Sequence, residues 1–95
     1  MKITVPVTAT TLLAAIWANA DEVASDYREA TLFRVQIENL DANAIYIDWS
    51  GITATTANGY RLDQNDKIEF QITELAQISL IAGTEATDVR VLITT

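Results

Sequence analysis

The sequence predicts an all-β chain, a small antiparallel β-sandwich or jelly-roll-like domain with one short N-terminal helix. Three observations lead there. From about residue 30 to the end, short segments alternate strictly between apolar and polar residues; in Lys67–Thr73, Ile68, Phe70 and Ile72 share one face of a pleat, and Lys67, Glu69, Gln71 and Thr73 the other. Such a strand has one face on a core and one toward water. Turn residues separate these segments at short intervals, the spacing of a sandwich or barrel. Finally, 95 residues with 49% hydrophobic and 20% charged side chains make one domain that folds, with a core of modest size.

Taken in order, residues 2–8 read as an edge strand, because Ile3, Val5 and Val7 alternate with Lys2, Thr4 and Pro6, and a proline cannot donate to a central ladder. The period then changes. Leu12, Leu13, Ile16, Trp17, Ala20, Val23 and Ala24 gather on one side of a helix over about residues 11–24, with Thr10 or Thr11 as N-cap, and this helix is expected to plug the core. The β region spans about residues 30–95. Its first strand, residues 30–38, sets Thr31, Phe33, Val35 and Ile37 against Leu32, Arg34, Gln36 and Glu38. Asn39–Asn43 is a turn closed by its own Asx side chains. Residues 44–49 put Ile45, Ile47 and Trp49 inward, and a weaker alternating run from Ile52 to Thr56 meets Asn58-Gly59, the signature of a tight hairpin, before Tyr60-Arg61-Leu62. Strands at 67–73, 77–82 and 88–94 complete a set of seven or eight in a single domain, 1–95.

The same composition removes whole classes of function. With no cysteine there is no disulfide framework and no thiolate nucleophile. The absence of histidine removes the usual general base and the commonest transition-metal ligand. Six basic against thirteen acidic side chains leave a net charge of −7, and the basic residues are scattered along the chain, so no nucleic-acid partner is expected. The apolar run from Val5 to Ala18 with Ala18-Asn19-Ala20 behind it imitates a signal peptide. Thr4, Pro6, Thr8, Thr10 and Thr11 interrupt it, and the segment reads instead as structure. No run reaches the roughly 18–20 apolar residues of a transmembrane helix, and the expectation is a soluble protein without a membrane partner.

Few residues are grouped as chemistry requires. Asp63, Asn65, Asp66 and Glu69 imitate a calcium loop, but Lys67 stands where a ligand is needed and no glycine follows, so a solvated turn, no metal and no cofactor are expected. A carboxylate pair of the glycosidase kind is not singled out by spacing among thirteen acidic residues. Trp17, Trp49, Tyr27, Tyr46 and Tyr60 have the flat apolar faces and polar edges that stack on sugar rings. Parity with Ile45 and Ile47 assigns Trp49 to the core; Trp17 and Tyr60 are the candidate partner contacts. On faces that should be polar, Leu32, Tyr46, Ile81 and Leu92 stand among Arg34, Asp48, Ser79, Arg90 and Thr94. Four apolar residues on neighbouring strands would form a patch of interface size, and self-association is the expectation.

The segments Ala44–Trp49, Asn58-Gly59-Tyr60-Arg61-Leu62, Lys67–Phe70, Leu75–Gly83 and Thr87–Leu92 together resemble small virion structural proteins of tailed bacteriophages. In that class a strand bearing a tyrosine is followed by an Asn-Gly-Tyr-x-Leu hairpin, an alternating strand and a closing Asp-Val-Arg-Val-Leu strand. The resemblance covers residues 30–95. It departs at Gln64-Asn65-Asp66, where Pro-Gly is usual, and near residue 80, where a tyrosine is common. Members of that class serve as capsid cement (decoration) proteins, as fibre head domains or as small adaptors; of these the expectation is a non-enzymatic cement protein that bridges subunits of the major capsid protein, made soluble in the host cytoplasm and carried on the capsid surface of the virion. A closed homotrimer with Leu32, Tyr46, Ile81 and Leu92 in its interface would suit three-fold lattice junctions. The alternative is a carbohydrate- or receptor-binding module of a phage fibre; a small glycosidase-like enzyme ranks behind both.

Overall fold

The computed structural model describes residues 2–19 and 32–94, without the side chains of residues 17–19. The predicted extension of the helix to residue 24, the rings of Trp17 and Tyr27, and Thr31 lie outside that description. The described residues form eight strands and one helix: β1 (Lys2–Val5), β2 (Thr10–Thr11), α1 (Leu12–Asn19), β3 (Phe33–Asn39), β4 (Ile45–Asp48), β5 (Tyr60–Leu62), β6 (Lys67–Ile72), β7 (Ser79–Ala82) and β8 (Thr87–Thr94). A short 3-10 turn, Leu75–Gln77, leads into β7.

Period-2 patterning places each long strand. Along β3 the residues Phe33, Val35, Ile37 and Asn39 are buried, whereas Arg34 is exposed and Gln36 and Glu38 are half-buried. In β8, Thr87, Val89 and Val91 are buried, and Arg90 and Leu92 lie on the other face. The strands form two four-stranded sheets, in the orders β1-β8-β3-β6 and β2-β7-β4-β5, and every ladder is antiparallel. Pairing 1 with 8, 2 with 7, 3 with 6 and 4 with 5 is the result of rolling one long antiparallel hairpin across two layers. The fold is an eight-stranded jelly-roll sandwich.

Between the layers, Ile3, Val5, Val35, Ile37, Val89 and Val91 of the first sheet meet Ile45, Ile47, Leu62, Leu80 and Ala82 of the second. Each of these valine, leucine and isoleucine side chains contributes roughly 1.5–3 kcal/mol by leaving water. Helix α1 adds Leu12, Ala15 and Ile16 to this core and packs on β1 and on the 3-10 turn, where the Leu12 N–H donates to the Ile78 carbonyl at 2.9 Å. Of the two proposed caps, Thr11 is the one used: its Oγ1 accepts from the Ala14 N–H, three residues on, at 3.1 Å.

Three expectations about elements need correction. The first strand ends at Val5 rather than Thr8, since the chain turns at Pro6 and crosses to the second sheet as β2. Pro6, with no N–H to leave unpaired, still gives its carbonyl to the Ala82 N–H at 2.8 Å, and Val7 is exposed instead of buried. Residues 52–56 form no strand, and Asn58-Gly59 closes no two-residue hairpin. The partner of β5 is β4, with Ile45 opposite Leu62, so residues 49–59 are one long connection. Asn58 closes a turn by other means: its Oδ1 accepts from the Thr55 N–H (3.0 Å) and Thr55 Oγ1 (2.8 Å), while the Gly59 N–H donates to the Thr55 carbonyl (2.9 Å). Glycine is required at 59 by close approach, as a Cβ there would stand 2.7 Å from Tyr46 Cβ and 2.9 Å from the Thr55 carbonyl oxygen.

Asn39 ends β3 as a fully buried polar residue. Its Oδ1 accepts from the Asp41 N–H at 2.9 Å, which is the expected Asx turn; its Nδ2 also donates to the carbonyls of Asn43 (2.8 Å) and Leu62 (3.0 Å). One side chain thereby ties the β3–β4 turn to the end of β5. A second tie is made by the Asn39 main chain, which exchanges hydrogen bonds with Asn65 and Asp66 in the β5–β6 turn.

Candidate functional site

The four outer-face apolar residues do not form one patch. Leu92 on β8 and Leu32, just ahead of β3, belong to the first sheet and are 52% and 48% exposed; Tyr46 and Ile81 are cross-strand partners on the second sheet and only half-buried. The two sheets present their outer faces in opposite directions. Part of the second sheet's outer face is covered by the chain's own 49–59 connection: Ala54 is buried, its N–H donates to Ser79 Oγ at 2.8 Å, and Gly59 lies against Tyr46. Leu32 and Leu92 keep an open face.

That open face also gathers basic residues that are distant in sequence. Lys2, Arg34, Lys67 and Arg90 project from β1, β3, β6 and β8 of the first sheet together with Glu38, Glu69 and Asp88. Three ion pairs cross it, Lys2–Asp88 (3.4 Å), Arg34–Glu69 (3.4 Å) and Arg90–Glu38 (3.5 Å). Solvent screening keeps each worth at most about 1 kcal/mol. Their consequence is electrostatic: a face near neutrality on a chain of net charge −7, with no unbroken basic track for a phosphate backbone.

The calcium-like turn is closed by its own groups. Asp66 Oδ2 accepts from the Asp63 N–H at 3.0 Å, the Asp66 N–H donates to the Asp63 carbonyl at 3.0 Å, and Asn65 takes the left-handed conformation, φ 68°. The Arg61 guanidinium donates to Asp63 Oδ1 at 2.8 Å, and that bond raises the Arg61 pKa further. Among the described residues no group of three or more acidic side chains converges to hold a metal ion. A chelator is expected to leave the thermal midpoint unchanged; a fall of several degrees that calcium reverses would overturn the reading of a solvated turn.

A different place draws aromatic and polar groups together. Trp49 follows β4 directly. Its parity is inward, as expected, but β4 has ended and the ring is 37% exposed at the open edge of the sandwich rather than in the core. There it stacks on Phe70 of β6 (centroids 5.0 Å, planes 18° apart) and meets Tyr60 of β5 at a tilt (6.0 Å, 59°). Offset and tilted aromatic pairs of this kind add about 0.5–1.5 kcal/mol each beyond burial. The Trp49–Phe70 stack joins β6, the edge strand of the first sheet, to the residue that follows β4 of the second.

Beside this cluster lies a recess of about 230 Å³ lined by Ile47, Asp48, Trp49, Ser50, Asn58 and Tyr60. Its polar side chains are held in place. Asp48 Oδ1 accepts from the Ser50 hydroxyl (2.6 Å) and the Ser50 N–H (2.8 Å), and these bonds keep the carboxyl pKa below its ordinary value. Gly51 at φ 90° then lets the chain reverse. Asn58 has its oxygen committed to Thr55, which fixes the amide and leaves its Nδ2 donor toward solvent. Tyr60, 55% exposed, supplies an aromatic face and a hydroxyl. Of the two candidate partner contacts, Tyr60 is therefore placed here, and the Trp17 ring lies outside the described residues. Trp49 is among the sequence's sugar-stacking candidates but is assigned there to the core; Asp48, Ser50 and Asn58 carry no site signal in the sequence, although Asp-x-Ser-Gly is an Asx-turn signature.

Among the described residues no helix is long and apolar enough to cross a membrane. No protein-family model matches this chain, and neither a curated protein nor a solved structure matches it. Fold and site together define an eight-stranded jelly-roll domain with one open sheet face and one aromatic recess.

Proposed function

We propose that this chain is a non-enzymatic virion structural protein, a capsid cement protein that stabilises the head by bridging subunits of the major capsid protein. The strand order carries the reading: an eight-stranded jelly roll is an architecture of viral capsid and lectin domains. Supporting it are the sequence resemblance to small tailed-phage virion proteins and the outer face of the first sheet. That face is near neutrality, carries Leu32 and Leu92, and is the part of an acidic molecule best suited to approach another protein surface. Each bound copy would add interface area at a lattice junction and so stabilise the shell by mass action.

The receptor-binding module of a fibre is the second reading, favoured by one observation, the Trp49–Tyr60 recess. Copy number separates the two. In purified particles a cement protein is expected at a band intensity comparable to that of the major capsid protein, whereas a fibre module is present in few copies. A faint band would overturn the cement reading.

A further inference from the structure

We infer that the recess beside Trp49 is a binding site for a neutral saccharide, seating one pyranose ring with its C–H face on Trp49 or Tyr60 and a pair of its hydroxyls between Asp48 and Asn58. The inference supplies the fibre reading with a ligand class, and it does not depend on the cement reading. Sugar recognition in water needs a flat apolar surface for the ring's C–H face and oriented polar groups for its hydroxyls. The recess has both. Trp49 and Tyr60 are 37% and 55% exposed in a domain whose other inward-facing residues of β4 and β5, Ile45, Ile47 and Leu62, are at most 2% exposed.

The polar side is organised before any ligand arrives. Asp48 uses Oδ1 on Ser50 and keeps Oδ2 as an acceptor; Asn58 uses Oδ1 on Thr55 and keeps Nδ2 as a donor. Sugar hydroxyls would donate to the first and accept from the second. Since those side chains are already fixed by local bonds, little conformational entropy is lost when the sugar binds. Their arrangement also selects against charge. The carboxylate and the net charge of −7 disfavour uronic and sialic acids, and the guanidinium of Arg61, next to Tyr60 in sequence, is held by Asp63 rather than lining the recess. A recess of about 230 Å³ lies below the roughly 300–1,000 Å³ of pockets that engulf a ligand. It takes one ring of a longer chain, with an affinity near millimolar.

The test is a titration of the isotopically labelled 95-residue chain with the methyl glycosides of glucose, galactose, mannose and N-acetylglucosamine, followed by amide and indole N–H resonances. At least one of them is expected to give saturable shifts at the Trp49 indole, the Asn58 side-chain amide and the amides of Asp48 and Ser50, with the amides of strand β8 as internal reference. Tyr60→Ala removes an exposed ring, and Asp48→Asn retains the oxygen that accepts from Ser50. Each is expected to weaken binding about tenfold while leaving the thermal midpoint within a few degrees of wild type. Saturable shifts are also expected to persist down to about pH 5 and to fade below the ordinary carboxylate range, as Asp48 is protonated. The inference fails if no glycoside gives saturable shifts at tens of millimolar. It fails equally if the shifts map elsewhere, or if both variants bind as wild type does. None of these outcomes bears on copy number in particles.

Discussion

Asn39→Ala is expected to cost about 2–4 kcal/mol of stability and to lower the thermal midpoint by on the order of 10–20 °C. The residue is fully buried, and alanine would leave the Leu62 and Asn43 carbonyls and the Asp41 N–H without the partners they have at 3.0, 2.8 and 2.9 Å. A deficit of this size is a large share of the roughly 5–15 kcal/mol that holds a domain of this length together. Asn39→Asp discriminates further. It keeps the oxygen that accepts from Asp41 but turns the donor into a carboxylate oxygen facing two carbonyls, so its folded-state pKa is raised above the unfolded value. The Asp variant is then expected to be least stable at neutral pH and to regain stability as pH falls through that raised pKa. Thermal unfolding by circular dichroism across pH measures both, and an alanine variant within about 0.5 kcal/mol of wild type would show that Asn39 is no structural tie.

The second large effect contrasts two faces of one sheet. Ile37, with no exposure, sits on β3 between Ile68 of β6 and Val91 of β8, and Ile37→Ala is expected to cost about 2–5 kcal/mol through lost burial and the cavity left behind. Leu92 is the neighbour of Val91 on β8 but points the other way and is 52% exposed. Leu92→Asp is therefore expected to leave the isolated fold within about 0.5 kcal/mol of wild type. In a trimer that buries Leu92 it would place an unpaired carboxylate in the contact and dissociate the oligomer. Denaturant unfolding measures the first statement and light scattering the second. A wild type that stays monomeric at high concentration would remove the trimer from the proposed function.

The alternation in residues 33–39, 67–72 and 88–94 made β3, β6 and β8 legible, because a period of two fixes which side chains share a face. It does not say how far a strand runs or which sheet it joins. Val7 has the right parity for burial and is exposed, since Pro6 turns the chain toward the other layer. Trp49 has the right parity and lies outside the core, since β4 stops at Asp48. Parity alone puts the four outer-face apolar residues on neighbouring strands, yet in a jelly roll adjacency follows the rolled hairpin, and Leu92 and Tyr46 belong to opposite layers. The recess was the least legible feature. It is built by a connection whose residues read as turn chemistry, and only the pairing of β4 with β5 brings Asn58 and Tyr60 beside Asp48 and Trp49.

The position of β8 governs how the chain reaches this state. It lies inside the first sheet and, among the described residues, is the only ladder partner of β1, yet Ile3 must find Val89 and Val35 must find Ile93, across most of the sequence. Loop-closure entropy is lost before these contacts return any free energy, so refolding is set on the millisecond-to-second scale of sandwiches with non-local pairing. Until β8 docks, β3 presents an unpaired edge to any strand it meets. Self-association of partly folded chains during production at high concentration would begin at that edge, through backbone hydrogen bonds rather than through Leu32 or Leu92.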